Sequence, residues 1–326
     1  MKSESFFLYA LGLNGKGGAV KLSEKELMKW STVKKPCWVH LDLSNPRALK
    51  WLRENADLPD FAENLMLNVE ESRPLCIIKG NDLLFGLRTI NLTPRSEPDD
   101  MVFLRLFATK NKLITVRLHP ALNFKEISDD FKSSSGPTDI NTLIDTILDT
   151  TLDKISDTIS DIEDNLDELE EAVILQKTTD STSAELSEIL RKAVIMRRFL
   201  IPSRDAFGTL SRNQCPWFTQ TLIHASYEDF HRMERIMEDI ELLADRTRIN
   251  QEALRNIDLK KSQQNMYMLS VVATLFLPLS FITGLFGMNV GGIPLSGSTD
   301  GLWMISLLIL FIGLFMLYLF KKLRWI

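Results

Sequence analysis

The run MYMLSVVATLFLPLSFITGLF, residues 266–286, carries no charged side chain. A helix of about 20 residues rising 1.5 Å per residue crosses about 30 Å, the thickness of bilayer hydrocarbon. A second run, LWMISLLILFIGLFMLYLF at 302–320, is equally free of charge. Two buried core helices of this kind would need more covering protein than the chain has left, so two membrane spans are expected. Lys260 and Lys261 precede the first, and Lys321, Lys322 and Arg324 follow the second, while the connecting segment 287–301 holds only Asp300. Basic flanks stay on the cytoplasmic side, which puts both termini there and the short loop outside. Trp303 and Trp325 fall where interfacial aromatics usually sit.

Upstream the chain changes character. The whole has 326 residues, a net charge of −5 and 25% charged side chains, almost all of them before residue 263. Its length suggests about two domains. A mildly acidic chain without a basic stripe excludes nucleic acid as the expected partner. Cys37, Cys76 and Cys215 lie far apart with no CxxC, which indicates neither a disulfide framework nor a zinc knuckle and suits a reducing compartment. MKSESFFLYALG reads as no signal peptide. Nothing resembles an enzyme: there is no GxSxG, P-loop or HExxH.

The first part, residues 1–135, reads as a cytoplasmic α/β domain. Apolar or alternating runs at 5–11, 37–43, 75–80, 83–90, 101–108 and 113–118 are expected strands, with TKNK turning the last pair into a hairpin. NPRALKWLREN and LPDFAENLML are expected helices. SSSGPTD (133–139) then breaks the pattern and opens a helical stalk region, residues 136–262. From Asp139 to Gln176 there is no Gly or Pro, and Leu143, Ile147, Ile155, Ile159, Ile162, Leu166 and Leu169 recur at helical spacing. A second helix is expected from about Thr182 to Phe207, tolerating Pro202. A third starts after Pro216 and meets no breaker before Pro278, inside the first span. At 1.5 Å per residue it would be a rod of about 90 to 100 Å. The fold class is thus an α+β membrane protein, closed by a transmembrane part at 263–326.

Two membrane helices cannot enclose a pore, so the chain is either a tethered domain or one copy in a ring. On a helical wheel Gln263, Met266, Ser270, Ala273, Leu277 and Gly284 share one face of the first span, with Ser280 at its edge. Met268, Val272, Leu275, Leu279, Ile282 and Phe286 make the other, uniformly bulky. Small and hydroxyl residues in membrane helices mark helix contacts or a water-lined path, and in a ring one helix does both. After the span come Gly287, Met288 and Asn289. Glycines can take positive φ and expose carbonyls, and an amide adds a neutral oxygen, so this segment can contact the bound waters of a divalent ion. It can equally be a plain helix end.

Two stalk clusters are weaker candidates. His224, Glu228 and His231 share a helix face at i, i+4 and i+7, with Cys215 upstream, and all are zinc-ligand types. The plainer reading is solvated stalk residues. Asp149, Asp153, Asp157, Asp161 and Asp164 form an acidic stripe that calls for relief by a cation or by Arg232, Arg235, Arg246, Arg248 and Arg255. His40 and His119 are expected to be structural.

The residues carry a resemblance. Gly287-Met288-Asn289 directly after a span containing Pro278, a short outer loop, a second span and a basic tail are similar to the CorA superfamily of divalent-cation transporters. PCWVHLDL, GPTD, VIMRRFLIPSRD, PWF and FLPLSFITGLFGMNVGGIP resemble its zinc-transporting ZntB branch across nearly the whole chain. The resemblance implies a homopentamer in the inner membrane, a cytoplasmic funnel and a central pore lined by the first span. Its cargo would be zinc, taken up and proton-coupled, with magnesium, cobalt, nickel or cadmium as alternatives and no other cofactor. Magnesium-transporting members have Tyr before this tripeptide and an acidic residue soon after; here Phe286 precedes and GGIPLSGST follows, which fits the zinc branch. A CorA-type magnesium or cobalt channel, zinc efflux, and a tethered metal-sensing protein that does not conduct are the other functions in view.

Overall fold

CWVHLD forms β3 (Cys37–Asp42), buried at every position but the last. A strand covered on both faces lies inside a sheet and reads as an unbroken apolar run. The structure is a computed structural model describing residues 6–68, 73–91, 101–118, 124–288, 290–294 and 300–323. Its other strands are β1 (Phe7–Leu13), β2 (Ala19–Lys21), β4 (Leu75–Lys79), β5 (Asp82–Thr89), β6 (Val102–Thr109) and β7 (Lys112–Arg117). Among the described residues they make one sheet in the order β2-β1-β3-β7-β6-β5-β4. Only β3 and β7 run parallel, Cys37 opposite Lys112 and Asp42 opposite Arg117. β6 and β7 form the expected hairpin, with Thr109 paired to Lys112.

One face is covered by α1 (Glu24–Met28), α2 (Pro46–Glu54) and α3 (Asp60–Leu67). Trp30, Trp51, Leu52 and Met66 join Val39, Phe107, Ile114 and Val116 in a single core there. On the other face Phe124, at the start of α4 (Lys125–Ser133), meets Trp38 edge-on at 5.7 Å. His40 is buried in that layer, its Nδ1 2.8 Å from Thr115 Oγ1, and burial drives its pKa down to about 3, so it is a neutral structural group as expected. β2 and α1, of three and five residues, are too short to give a periodic signal, and α4 was not among the expected helices. His119, Asn289, Arg324 and Trp325 lie outside the described residues.

The stalk begins where Asp139 accepts the backbone N–H of Thr142 at 3.0 Å, opening the 35-residue α5 (Ile140–Ile174). α6 (Thr182–Arg212) contains Pro202 and runs past Phe207 to Arg212 because Phe207 still packs, at 5.2 Å, on Phe85 of β5. α7 (Gln220–Phe286) is one helix of 67 residues through Pro278. α8 (Gly301–Lys322) is the second span. Asn141 of α5 ties down the start of α7 by accepting the N–H of Thr219 at 3.1 Å.

The chain divides into two compact units, Met1–Gln251 and Glu252–Ile326. The sheet and the stalk, separated at 135/136 in the sequence reading, share the first unit, because α6 lies on β4 and β5. The second unit opens at Glu252, within α7, and not at 263.

Candidate functional site

The face marked out on the first span is bare. Gln263, Met266, Ser270, Ala273, Leu277, Ser280 and Gly284 are all exposed, in alternating steps of three and four residues along α7. A Cβ built on Gly284 would meet nothing within 4 Å. The bulky side is covered only in its outer part: Leu275, Leu279, Ile282 and Phe286 are half-buried, as is Val271 beside them, while Met268 and Val272 are exposed; along α8, Ile305, Ile309, Ile312 and Met316 are half-buried. Gly313 of α8 supplies a close approach, since a Cβ there would lie 3.9 Å from Leu279 Cδ1. Within this unit the two spans therefore use bulky residues on each other and leave the small, uncharged face of α7 free. Ser270 Oγ donates to the Met266 carbonyl at 3.0 Å, and Thr274 Oγ1 donates to that of Ser270 at 2.8 Å. Each hydroxyl proton is satisfied inside the helix, which leaves oxygen lone pairs for water.

The helix ends at the glycine. Gly287 N–H closes the last turn on the Thr283 carbonyl at 2.9 Å, and Met288 N–H reaches the Leu285 carbonyl at 3.5 Å. A Cβ on Gly287 would sit 3.0 Å from the Thr283 oxygen, so a side chain there is crowded by its own helix. Positive φ, expected of the glycines as a group, belongs to Gly292 at 99° and not to Gly287. Asn289, the third residue of the expected selectivity loop, is outside the described residues.

Residues 33–322 match the family described as CorA-like Mg2+ transporter protein. The chain belongs to the CorA family. It is 33% identical over 325 residues to the divalent cation transporter CmaX of Pseudomonas aeruginosa, covering 99% of this chain and 98% of the relative. It is 30% identical over 319 residues to the zinc transport protein ZntB of Pectobacterium carotovorum, covering 98% and 96%. The solved structure of full-length CmaX superimposes with a TM-score of 0.83 at 32% identity over the whole of both chains. The mixed sheet, long helices and two apolar C-terminal helices are thus the CorA fold, as the sequence led us to expect.

The stalk candidates of this CorA protein are arranged differently from their sequence spacing. His224 Nε2 lies 3.4 Å from Glu228 Oε1, but both are largely exposed. His231 turns away, its Nδ1 2.8 Å from Glu234 Oε2 and its ring edge-on to Tyr227. Among the described residues no three His, Cys, Asp or Glu side chains are gathered closely enough to hold a metal. A helix face places side chains in a row, and a tetrahedral site needs them to converge. The acidic stripe is relieved by arginine only in part. Arg232 takes Asp149 at 2.9 Å and also Asp153. Arg246 goes further along α5, to Asp167 and Glu170 at 2.6 Å each, and Arg248 pairs on its own helix with Asp245. Spacing missed Asp229, buried on α7, because its neighbour Asp145 comes from another helix.

Proposed function

We propose that the chain transports divalent cations, zinc above all, across the inner membrane through a pore made by several copies and lined by the first span. The observation that carries this reading is the exposed, charge-free face from Gln263 to Gly284, backed by a second span that covers only the opposite side. A lone lipid-anchored helix has no use for such asymmetry; a closed ring needs it to bring copies of α7 together. Five copies is the number that the family resemblance suggests, with both termini cytoplasmic.

A divalent ion gives up its inner waters reluctantly, so a neutral path that binds those waters favours its passage. Gly287, Met288 and Asn289 would offer backbone and amide oxygens at the outer mouth. Ser270 and Ser280 continue that path inward, and Met266 and Leu277 would make apolar rings that gate by dewetting. The zinc preference rests on Phe286 before this tripeptide, on GGIPLSGST after it and on the resemblance to ZntB. Uptake with protons follows the same resemblance.

The test is uptake of labelled zinc into liposomes holding the full chain, at two pH gradients and with magnesium as competitor. Zinc flux that outlasts excess magnesium supports the reading; magnesium flux without zinc flux overturns the cargo. A monomer by light scattering in mild detergent overturns the pore. Asn289→Gly should cut flux while oligomer size holds, and Asn289→Asp should bind ions more tightly and release them more slowly.

A further inference from the structure

The first unit has a cleft of about 610 Å³ between the β6–β7 hairpin, the β4–β5 turn, the segment after α1 and the residues just before α7. That volume is in the range of small-molecule sites. Its accessible apolar surface comes from Val33, Pro59, Pro216 and Trp217, with the buried Trp30, Phe107 and Ile114 forming the floor. Trp217 is held in place by an Nε1–H bond to the Asn81 carbonyl at 2.8 Å. Around these rings stand Lys34, Lys110 and Lys112. Lys112 is tethered, its ammonium 2.9 Å from the Ser31 carbonyl and 5.7 Å from the centre of the Trp30 ring. Among the described residues Lys34 and Lys110 form no ion pair, although lysines elsewhere, such as Lys35 with Glu26 and Lys132 with Asp129, do. Three lysines with two of them unpaired are notable in a chain of net charge −5.

Two carboxylates, Asp57 and Asp82, complete the rim. Asp57 holds a left-handed backbone, φ 54°, a conformation that costs a non-glycine residue free energy. Burial pushes the Asp82 carboxyl up and the Lys112 ammonium down, so both groups are partly withdrawn from water. A cleft with an apolar wall and a few convergent charged groups of perturbed pKa is the pattern of a ligand site.

We propose that this cleft binds a small organic anion built on a planar ring, the chemistry of a nucleoside phosphate. The half-exposed Trp217 indole takes the flat ring, by the stacking that aromatic side chains offer a base. Lys34 and Lys110 take the phosphate charge. Asp57 and Asp82 would repel a bare polyanion, but they accept hydrogen bonds from a sugar hydroxyl or an exocyclic amine. A ligand carrying all three features satisfies every charged group on the rim. Trp217 stands three residues before α7 begins at Gln220, so an occupant touches the segment that leads into the first membrane helix. This inference does not depend on which ion the protein carries.

Binding is measured by equilibrium dialysis on the full chain in detergent, with chelator present so that no divalent ion bridges the ligand. The probes are ATP, inorganic triphosphate and adenosine. ATP should bind, and each of the other two should bind at least about tenfold more weakly, since each lacks one half of the recognition. Lys110→Glu, an exposed change that leaves the core alone, should weaken ATP by about tenfold or more. Trp217→Phe keeps a ring without the indole N–H and should weaken it less. Absence of ATP binding overturns the proposal, as does ATP affinity unchanged in Lys110→Glu. Triphosphate binding as tightly as ATP also overturns it, because the lysines would then be a plain anion patch.

Discussion

Arg232 of α7 reaches Asp149 of α5 at 2.9 Å and takes Asp153 as well, and this leaves Asp229, one turn earlier on α7, without a cation of its own. Asp229 is 7% exposed, and its carboxyl takes no hydrogen bond or ion pair among the described residues. Burial pushes its pKa up to about 7, and Asp145 and Asp149 across the seam add repulsion that Arg232 only partly offsets. The sign follows from linkage. A carboxyl whose folded pKa lies above its unfolded value holds an extra proton in the native state between the two. Stability is therefore highest below the ordinary carboxylate range and is lost as pH rises toward about 7. The loss is on the order of a few kcal/mol. Thermal unfolding of the full chain in detergent from about pH 5 to pH 8 should show it, and Asp229→Asn should flatten the slope. Equal slopes in both proteins would remove Asp229 as the cause.

Arg105 of β6 is fully buried, its guanidinium 5.6 Å from the centre of the Phe103 ring, and among the described residues Nε, Nη1 and Nη2 all lack a hydrogen-bond partner. Burial lowers its pKa to about 10. Gly86 on the neighbouring strand makes the room, since a Cβ there would come 3.2 Å from the Arg105 side chain. An orphaned buried charge costs more than an apolar side chain of similar volume. Arg105→Met should leave the first unit as stable as before or raise it by about 1 to 3 kcal/mol. Chemical denaturation followed by circular dichroism decides this, and a loss of stability would mean the guanidinium has a partner in the assembled protein.

The sequence announced long elements and hid short-range meetings between distant ones. The spans and α5 carry unbroken periodic or apolar patterns, and their observed ends, Phe286, Lys322 and Ile174, lie within two residues of those read from spacing. The seven residues from Gln263 to Gly284 could be put on one face from spacing alone, because residues on one helix keep one phase. The cleft was not legible in this way, because Trp30, Asp57, Lys110 and Trp217 come from four separate segments that only the sheet brings together. The stalk histidines follow the plainer of the two readings, solvated side chains in a row. A shared helix face suggested convergence, and the structure gave His231 to Glu234.

Asn141 tests how the stalk is joined. It is 7% exposed on α5, and its Oδ1 accepts the Thr219 N–H at 3.1 Å where α7 starts. A helix start deprived of such a partner loses about 1 kcal/mol, more when the group is buried. Asn141→Ala should lower the unfolding midpoint measurably. Asn165→Ala, which removes an exposed amide bonded only within its own helix, should not. Equal effects would show that Asn141 acts by helix propensity alone.

Leu277 and Leu279 lie two residues apart on the first span and face opposite ways. Leu277 is 72% exposed on the small-residue face, while Leu279 is half-buried and approaches Gly313 of α8. A polar side chain should therefore do different things at the two sites. In the proposed pore Leu277→Asn would wet an apolar ring without touching the packing between spans, so ion leak into liposomes should rise while expression and oligomer size hold. Leu279→Asn puts an amide between two apolar helices, where burying it without partners costs about 1 to 3 kcal/mol, so the yield of folded protein should fall before any change in selectivity is seen. Flux and its ion dependence unchanged in Leu277→Asn would take that residue off the ion path. Leak in Leu279→Asn at normal yield would mean that the covered and open faces of α7 have been assigned the wrong way round.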